Sequence, residues 1–235
     1  MKSSYLLLWL EAPLQSWGVD SQFGRRDSID FPTKSGIAGL LLSALGASGE
    51  QRELLAELAP LRQTVIAYAP KTADAGPIEP PLLRDFHMVG SGYNEKDSWE
   101  SLLIPRKSDG GKAVGGGVKM TFRYFIQNGF FAAIVEIPDD RKGRMEEALR
   151  CPAFDIYLGR KSCVPTDIVF RGSYDREDEA IDAAAAIAAG KELVERFRAL
   201  DGEKGDEVMT LNDIPLQFGG VKKYRERRVA VVRHE

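Results

Sequence analysis

An unbroken apolar stretch near the N-terminus constrains the fold more than any other part of this chain. Residues 5–10 have the sequence YLLLWL and include no charged residue. Such a run is typical of a strand that is covered on both faces, so we place it in the centre of a sheet. The run is too short to cross a membrane, and Glu11 follows it without a small-residue cleavage site. This pattern predicts a cytoplasmic protein.

A capped helix is predicted after the first loop. The hydroxyls of Thr33 and Ser35 can accept hydrogen bonds from the free amides of a first helical turn. Apolar residues then recur at helical spacing over residues 37–45, and Gly46 follows at a position where glycine commonly ends a helix. The segment therefore predicts a helix with one face in the core.

The start of this helix is also a candidate anion site. It carries Lys34, a neighbouring hydroxyl and two glycines, and the amides and dipole of a helix start favour phosphate. Glycine is a poor helix former, so Gly36 and Gly39 indicate a close approach by a ligand or another backbone segment. An ordinary capped core helix is the alternative interpretation.

The remaining patterns predict an α+β fold. Residues 50–58 are amphipathic and residues 61–69 alternate in part, so the chain opens with the order strand, helix, helix, strand. Residues 70–81 contain four prolines and are predicted to form a linker. Helices are predicted over residues 139–150 and 183–189.

A long hairpin is predicted in the middle of the chain. Residues 82–89 and 118–126 are expected to pair as strands, with the glycine-rich residues 90–117 as a flexible, basic tip. The Asn-Gly pair at residues 128–129 is a strong turn signal, so residues 130–137 are predicted to return as a separate strand.

The C-terminal third has weaker patterns. Residues 191–200 fit either a helix or a strand, whereas residues 206–212 and 227–233 are typical of strands. Residues 222–228 hold five cations and one acid.

Charge and composition narrow the functional classes. The formal net charge of -3 argues against a generally basic nucleic-acid binder, although it does not restrict local patches. Cys151 and Cys163 are too few for a disulfide framework. With only His87 and His234 in the chain, we expect no zinc site and no cofactor. Lys112 precedes alanine where a phosphate-binding P-loop needs serine or threonine, which argues against nucleotide hydrolysis.

Cations beside glycine turns and aromatic residues are the best chemical clue. They are expected in loops, at the helix start or on strands: Arg25, Arg26, Lys34, Arg84, Lys119, Arg123, Arg160 and Lys161. This arrangement fits binding of a single-stranded nucleic-acid backbone through phosphate contacts and base stacking. A scatter of solvated surface charges is the alternative.

Four sequence blocks carry a family resemblance. Residues 10–18 (LEAPLQSWG), 31–36 (FPTKSG), 83–87 (LRDFH) and 157–163 (YLGRKSC) closely resemble CasD-type subunits of the type I-E CRISPR Cascade complex. These subunits belong to the RAMP superfamily of CRISPR proteins. The blocks occur in the family's order and cover residues 5–170, whereas the C-terminal third is assigned by position only.

The resemblance implies a fold and a role. The implied fold is one RAMP domain over residues 1–235, with a ferredoxin-like (RRM-type) core and a protruding β-hairpin thumb at 82–126. The implied role is non-catalytic: the subunit holds the 5′ handle of the crRNA in a ribonucleoprotein complex for antiviral defence. Its implied neighbours are the Cascade large subunit and the backbone subunit, with target DNA contacted only indirectly.

The same resemblance nominates RNA-binding residues. Those in matched blocks are Trp17, Lys34, Ser35, Gly36, Arg84, His87, Arg160 and Lys161. Arg25 and Arg26 lie between matched blocks, and Lys119 and Arg123 lie on the supposed thumb. Phosphates are expected at the Lys34 helix start and at the Arg160 turn, with aromatic faces such as that of Trp17 stacking on bases.

Two other functions stay open. A sister branch of the family cuts precursor crRNA with a Tyr, Lys and His set, so a metal-independent endoribonuclease with His87 as acid or base is one alternative. An α+β module that binds only protein partners is the other.

Overall fold

The computed structural model describes residues 2–19, 21, 24–71, 82–89, 96–99, 107, 109–111 and 119–233. Most of the predicted linker and most of the predicted hairpin tip lie outside these residues. The described part is a mostly antiparallel sheet with helices on both faces, which confirms the α+β class. No helix in this part of the chain has the length and apolarity needed to span a bilayer.

Nine strands form the sheet within the described residues. They are β1 (Ser3–Gln15), β2 (Arg25–Arg26), β3 (Gln63–Pro70), β4 (Leu83–Val89), β5 (Lys119–Pro138), β6 (Phe170–Tyr174), β7 (Leu193–Asp201), β8 (Glu207–Gln217) and β9 (Lys223–Arg233). The helices are α1 (Lys34–Ala44), α2 (Arg52–Leu58), α3 (Lys142–Arg150), which follows a 3-10 turn at Asp139–Arg141, and α4 (Glu177–Gly190). The strand order is β6-β1-β5-β3-β7-β9-β8, and β2 and β4 pair with β5 outside this path.

Strand β1 lies inside the sheet, between β5 and β6, as predicted. Leu6, Leu8 and Leu10 belong to the core cluster that includes apolar residues of α1 and α3. Leu7 and Trp9 belong to the opposite cluster, which includes the alanines of α4. The strand is longer than predicted because it continues as far as Gln15.

Helix α1 has the predicted caps. The hydroxyl of Thr33 accepts a hydrogen bond from the amide of Gly36 at 3.2 Å. Gly46 has a φ of +68°, the left-handed conformation in which glycine ends a helix. Ile37 and Leu41 are buried in the core.

The predicted turn at residues 128–129 is wrong, because β5 runs through it as one strand of 20 residues. Ala12 pairs with Gly129 and Leu14 with Gln127 in the register that β1 keeps along β5. Asn128 has a φ of +47°, but Gly129 does not have the positive φ that a two-residue turn of this type requires. Strands β1 and β3 flank this half of β5, and a hairpin here would break both ladders.

The first half of β5 forms the predicted hairpin with β4. Their pairing runs from Leu83 opposite Phe125 to Val89 opposite Lys119. Strand β2 lies on the other side of β5, in parallel pairing. The ambiguous residues 191–200 contain most of β7, which is a strand because β3 and β9 pair with it on either side.

Candidate nucleic-acid interface

A cleft of about 490 Å³ lies where four segments meet. It is lined by the residues directly after β1, by the exposed side of α1, by residues 157–161 and by the turn between β8 and β9. The lining includes Arg160, Lys161 and Lys222 with several hydroxyl groups, and among the described residues it contains no carboxylate. A surface of this composition attracts anions and can donate hydrogen bonds to them.

Gly159 brings the two adjacent cations of residues 160–161 to the end of β1. Its φ is +97°, and a Cβ at this position would lie 1.7 Å from the carbonyl oxygen of Ser16. The amide of Ser16 donates to the carbonyl oxygen of Leu158 at 3.1 Å. Because only glycine tolerates both the conformation and the approach, this residue fixes the cationic turn beside the cleft.

Trp17 lines the cleft and has a packing role, and its predicted role in base stacking stays a prediction. The residue is 1% exposed, and its indole N–H donates to Gln15 Oε1 at 3.1 Å. A Cβ on Gly36 would lie 2.7 Å from the Trp17 ring, so the close approach predicted from this glycine is to an internal side chain. Gly39, in contrast, has no atom within 4 Å of its Cβ position and lines the cleft.

Lys34 makes its contacts within the protein, and the prediction that it receives phosphate stays a prediction. Its ammonium group donates to the carbonyl oxygen of Leu61 and lies 3.5 Å from the Asp201 carboxylate. The side chain is 11% exposed and does not line the cleft. Burial lowers the pKa of Lys34 from the ordinary lysine value, and the charge of Asp201 partly opposes this effect.

Two of the first amides of α1, those of Lys34 and Gly36, have acceptors within the protein. The Lys34 amide donates to Asp213 Oδ2 at 2.8 Å, and the Gly36 amide donates to the Thr33 hydroxyl. An internal carboxylate therefore takes the place predicted for a phosphate on the Lys34 amide. Ser35 lines the cleft and stays a predicted contact residue.

Strands β2, β4 and β5 bring together further arginines that the sequence nominated. Arg26 and Asp85 are the neighbours of Arg123 on the two sides of β5. Arg160 joins this row, because it donates to the Arg26 carbonyl oxygen at 2.9 Å and stacks over the ring of Phe125 at 4.9 Å. Burial lowers the pKa of Arg160, and the positive charges of Arg123 and Arg26 lower it further.

Two more arginines stack on aromatic rings of β5. Arg84 lies over Phe122 at 5.5 Å, and Arg25 lies over Tyr124 at 5.1 Å. Arg25 also forms an exposed ion pair with Asp27 at 2.7 Å. Stacking holds a guanidinium plane in one orientation while its N–H groups stay available to an anion.

His87 and Lys119 complete the set of nominated residues. The Nε2 atom of His87 is hydrogen-bonded to the carboxylate of Asp85. Lys119 begins β5 opposite Val89, at the end of the ladder nearest the predicted tip. Among the described residues, no group of three or more His, Cys, Asp or Glu side chains is placed to hold a metal ion.

Ion pairing distinguishes the interface cations from many cations elsewhere. Carboxylates lie within 4 Å of Arg62, Arg141, Lys142, Arg150, Lys191 and Arg198. Across the described residues, no carboxylate oxygen lies within 4 Å of Arg26, Arg84, Arg123, Arg160, Lys161 or Lys222. The interface therefore keeps a local positive charge in a chain that is acidic overall.

The sequence did not nominate the cleft residues of the C-terminal third. Lys222, Tyr224 and Phe218 line the cleft, and the rings of Phe218 and Tyr224 are 6.5 Å apart in an edge-to-face contact. Burial raises the pKa of Tyr224. The cation-rich segment 222–228 was the available signal, but nothing in the sequence placed it near the Arg160 turn.

Three comparisons relate this chain to known proteins. A family model described as CRISPR-associated protein (Cas_Cas5) matches residues 5–230. The CRISPR system Cascade subunit CasD of Escherichia coli (strain K12) is 28% identical over 180 residues, which cover 74% of this chain and 73% of that protein.

Two solved structures extend the likeness to the fold. A chain of a CRISPR RNA-guided surveillance complex has a TM-score of 0.69 and 25% identity, covering 98% of this chain and 90% of that one. A crystal structure of a Cas protein has a TM-score of 0.60 and 24% identity, covering 97% of this chain and 93% of that one.

Proposed function

This chain belongs to the CRISPR-associated Cas5 family, and from that premise we propose that it is a non-catalytic, crRNA-binding subunit of a type I-E Cascade complex. It holds the 5′ handle of the crRNA and joins the large subunit to the backbone filament in antiviral defence. It acts in the cytoplasm and contacts target DNA only indirectly. The likeness to a Cascade subunit and to a chain of an RNA-guided surveillance complex supports this role.

The observation that carries the proposal is the uncompensated positive charge around the cleft. Arg160 and Lys161 lie at the cleft, and Arg26 and Arg123 extend the charge onto β2 and β5. Phosphates of a single-stranded RNA supply the missing negative charge, and their binding releases condensed counterions. The hydroxyls of Ser35 and Tyr224 can donate hydrogen bonds to phosphate or ribose oxygens.

The strand order supports the ferredoxin-like part of the proposal. Strands β6, β1, β5 and β3 are neighbours in that order, and in chain order they are the fourth, first, third and second strands of such a core. Helix α1 follows the first of them and α3 follows the third, and both pack into the same core cluster. We assign the hairpin of β4 and β5 as the thumb, within one RAMP domain.

The proposal is tested by measuring RNA affinity against salt concentration. The probe is a labelled single-stranded RNA with the 5′-handle sequence of the chain's own CRISPR repeat. Arg160→Ala and Lys161→Ala are each expected to weaken binding and to reduce the slope of log K against log salt by about 0.7, which is one phosphate contact on a single strand.

Arg150→Ala is the matched control, because Arg150 pairs with Glu146 at 3.0 Å and lies outside the cleft lining. This variant is expected to keep the wild-type slope. Unchanged slopes in both interface variants would reject the proposal, and the chain would then be better described as a protein-binding module.

Endoribonuclease activity is the second candidate function, favoured by the contact between His87 and Asp85. A carboxylate can orient a histidine for proton transfer, and Arg123 pairs in register with Asp85. Incubation of the purified protein with labelled repeat RNA decides between the two functions. Site-specific cleavage that His87→Ala abolishes would establish the enzyme, whereas intact RNA supports the non-catalytic role.

A further inference from the structure

The two sides of the cleft come from distant parts of the chain. One side is the start of α1, with Thr33, Ser35 and Gly36 in the lining. The other side is the hairpin of β8 and β9, with Lys222 and Tyr224 in the lining. The distance between Ser35 and Lys222, and with it the width of the cleft, depends on how this hairpin is fastened to α1.

A buried ionic network fastens the two sides. The Asp213 carboxylate on β8 accepts the Lys34 amide at 2.8 Å and two bonds from the Arg227 guanidinium on β9, at 2.7 and 2.8 Å. Arg227 also donates to Asp201, which lies 3.5 Å from the Lys34 ammonium group. The side chain of Asp213 is fully buried and that of Arg227 is 8% exposed.

This network lies beside the cleft and does not line it. None of Lys34, Asp201, Asp213 and Arg227 belongs to the cleft lining. A change in Asp213 or Arg227 therefore removes no direct contact with a molecule in the cleft. Any effect on binding has to pass through the position of the hairpin.

The tip of the hairpin has a second, weaker attachment. The Phe218 amide donates to the Glu50 carbonyl oxygen at 3.1 Å, and the Gln217 side chain donates to the Glu50 carboxylate at 3.2 Å. These contacts hold the tip to the loop after α1. At the helix start, β8 is joined to α1 by the bond from the Lys34 amide to Asp213, and the paired bonds from Arg227 on β9 hold that carboxylate in both distance and angle.

We infer that Asp213 and Arg227 are positioning residues for RNA binding: they hold the β8–β9 hairpin so that Lys222 meets the phosphate path defined by Arg160 and Lys161. This inference rests on the proposed function. A buried ion network adds little net stability compared with apolar residues of similar volume. Holding the hairpin in one position is a role that apolar residues would not fill as well.

The test is a double-mutant cycle with the full-length chain and the labelled handle RNA. In the wild-type background, Lys222→Ala is expected to lower the salt slope by about 0.7, because one phosphate contact is lost. In an Asp213→Asn/Arg227→Met background, which removes both charges together, Lys222→Ala is expected to change the slope by less than half as much.

Two controls separate positioning from general damage. Lys161→Ala is expected to keep its full effect in the Asp213→Asn/Arg227→Met background, because Lys161 belongs to the lining segment at residues 157–161 and not to the β8–β9 hairpin. Arg228→Met serves as the matched background: Arg228 is on the same strand but pairs with Glu203 at 3.3 Å, so Lys222→Ala is expected to keep its full effect there.

If Lys222→Ala lowers the salt slope by the same amount in every background, the cycle is additive. That result would overturn the inference while leaving the proposed function intact. No slope change for Lys222→Ala in the wild type, with Lys161→Ala still effective, would also overturn the inference, whereas unchanged slopes for both Arg160→Ala and Lys161→Ala would reject the proposed function itself. If the paired variant does not fold, Arg227→Lys replaces it. That variant keeps the charge but loses the paired geometry, and the same loss of coupling is expected.

Discussion

At the scale of single residues, Gly159 controls how the cationic turn meets the sheet. Its left-handed φ and the 1.7 Å approach of its Cβ position to the Ser16 carbonyl oxygen leave no room for a side chain. A substitution there strains the backbone and also pushes Arg160 and Lys161 away from the end of β1. Stability and RNA binding should therefore fall together at this position.

Gly159→Ala is expected to reduce the free energy of unfolding by at least about 2 kcal/mol, from the left-handed conformation and the clash combined. Chemical denaturation measures this loss. Gly143→Ala is the control, because Gly143 lies in α3 with no atom within 4 Å of its Cβ position. Gly143→Ala should not lower the free energy of unfolding and can raise it by up to about 1 kcal/mol, because alanine has the higher helix propensity. Equal effects of the two substitutions would contradict this account.

Lys34 lies in a block that resembles the family, and its side chain makes contacts that affect the stability of the fold. Its pKa is lowered by burial, so between its folded pKa and the ordinary value of about 10.4 the unfolded chain binds more protons. Stability attributable to this group therefore rises with pH through that window. The cost of holding it charged is greatest below its folded pKa.

The comparison with Lys34→Met isolates this contribution. As pH rises toward about 10.4, the free energy of unfolding of the wild type is expected to increase relative to that of Lys34→Met. The increase is about 1.4 kcal/mol for each pH unit by which the folded pKa of Lys34 lies below the ordinary value. Denaturant titrations at several pH values measure it. The same variant should keep the wild-type salt slope for handle RNA, and a reduced slope would show that Lys34 does reach phosphate.

At the scale of elements, β5 connects the hairpin to the core. Its first half pairs with β4 and β2, and its second half pairs with β1 and β3. Arg123 therefore lies on the same continuous strand as the buried residues Phe131 and Ile134. The hairpin does not depend on a flexible joint at Asn128, because the strand stays paired to β1 on either side of this residue.

Asn128→Val tests this description of β5. A β-branched residue at a φ of +47° is expected to cost about 1–2 kcal/mol of unfolding free energy. Asn128→Gly is the matched variant and should be close to neutral, because glycine adopts this conformation freely. Thermal or chemical unfolding of the two proteins gives the comparison, and a harmless valine would show that the strand does not hold this conformation.

At the scale of the whole molecule, the Asp213 network joins segments that are far apart in sequence. Lys34 and Asp213 are separated by 179 positions, and Arg227 bridges Asp213 to Asp201. These contacts link the helix start to the last three strands. The turn between the last two strands thus lines the same cleft as α1.

Arg227→Ala is expected to lower the free energy of unfolding by about 3–5 kcal/mol, because it leaves the buried Asp213 carboxylate without its main partner. Arg228→Ala, on the same strand but at an exposed ion pair, should cost no more than about 1 kcal/mol. Urea denaturation of both variants measures the contrast. Similar losses of unfolding free energy in the two variants would mean that the network stabilises the fold no more than an exposed ion pair does.

Local patterns determined much of this protein. The apolar run at residues 5–10 predicts a covered strand, and the Thr33 cap and Gly46 predict the ends of a helix. These features depend on interactions within a few residues, which sequence alone contains. The blocks around Arg84 and Arg160 nominated four candidate RNA-binding residues, Arg84, His87, Arg160 and Lys161, through their family resemblance.

Tertiary structure decided the rest, because it depends on which distant groups meet. The Asn-Gly pair at residues 128–129 has the chemistry of a turn, yet the ladder with β1 continues on either side of Asn128. Lys34 has the chemistry of a phosphate ligand, yet its ammonium group contacts the Asp201 carboxylate and the Leu61 carbonyl oxygen. Lys222 has no motif, yet the network at Asp213 holds its hairpin by the cleft. Each outcome follows from contacts across more than 25 positions, which no local pattern specifies.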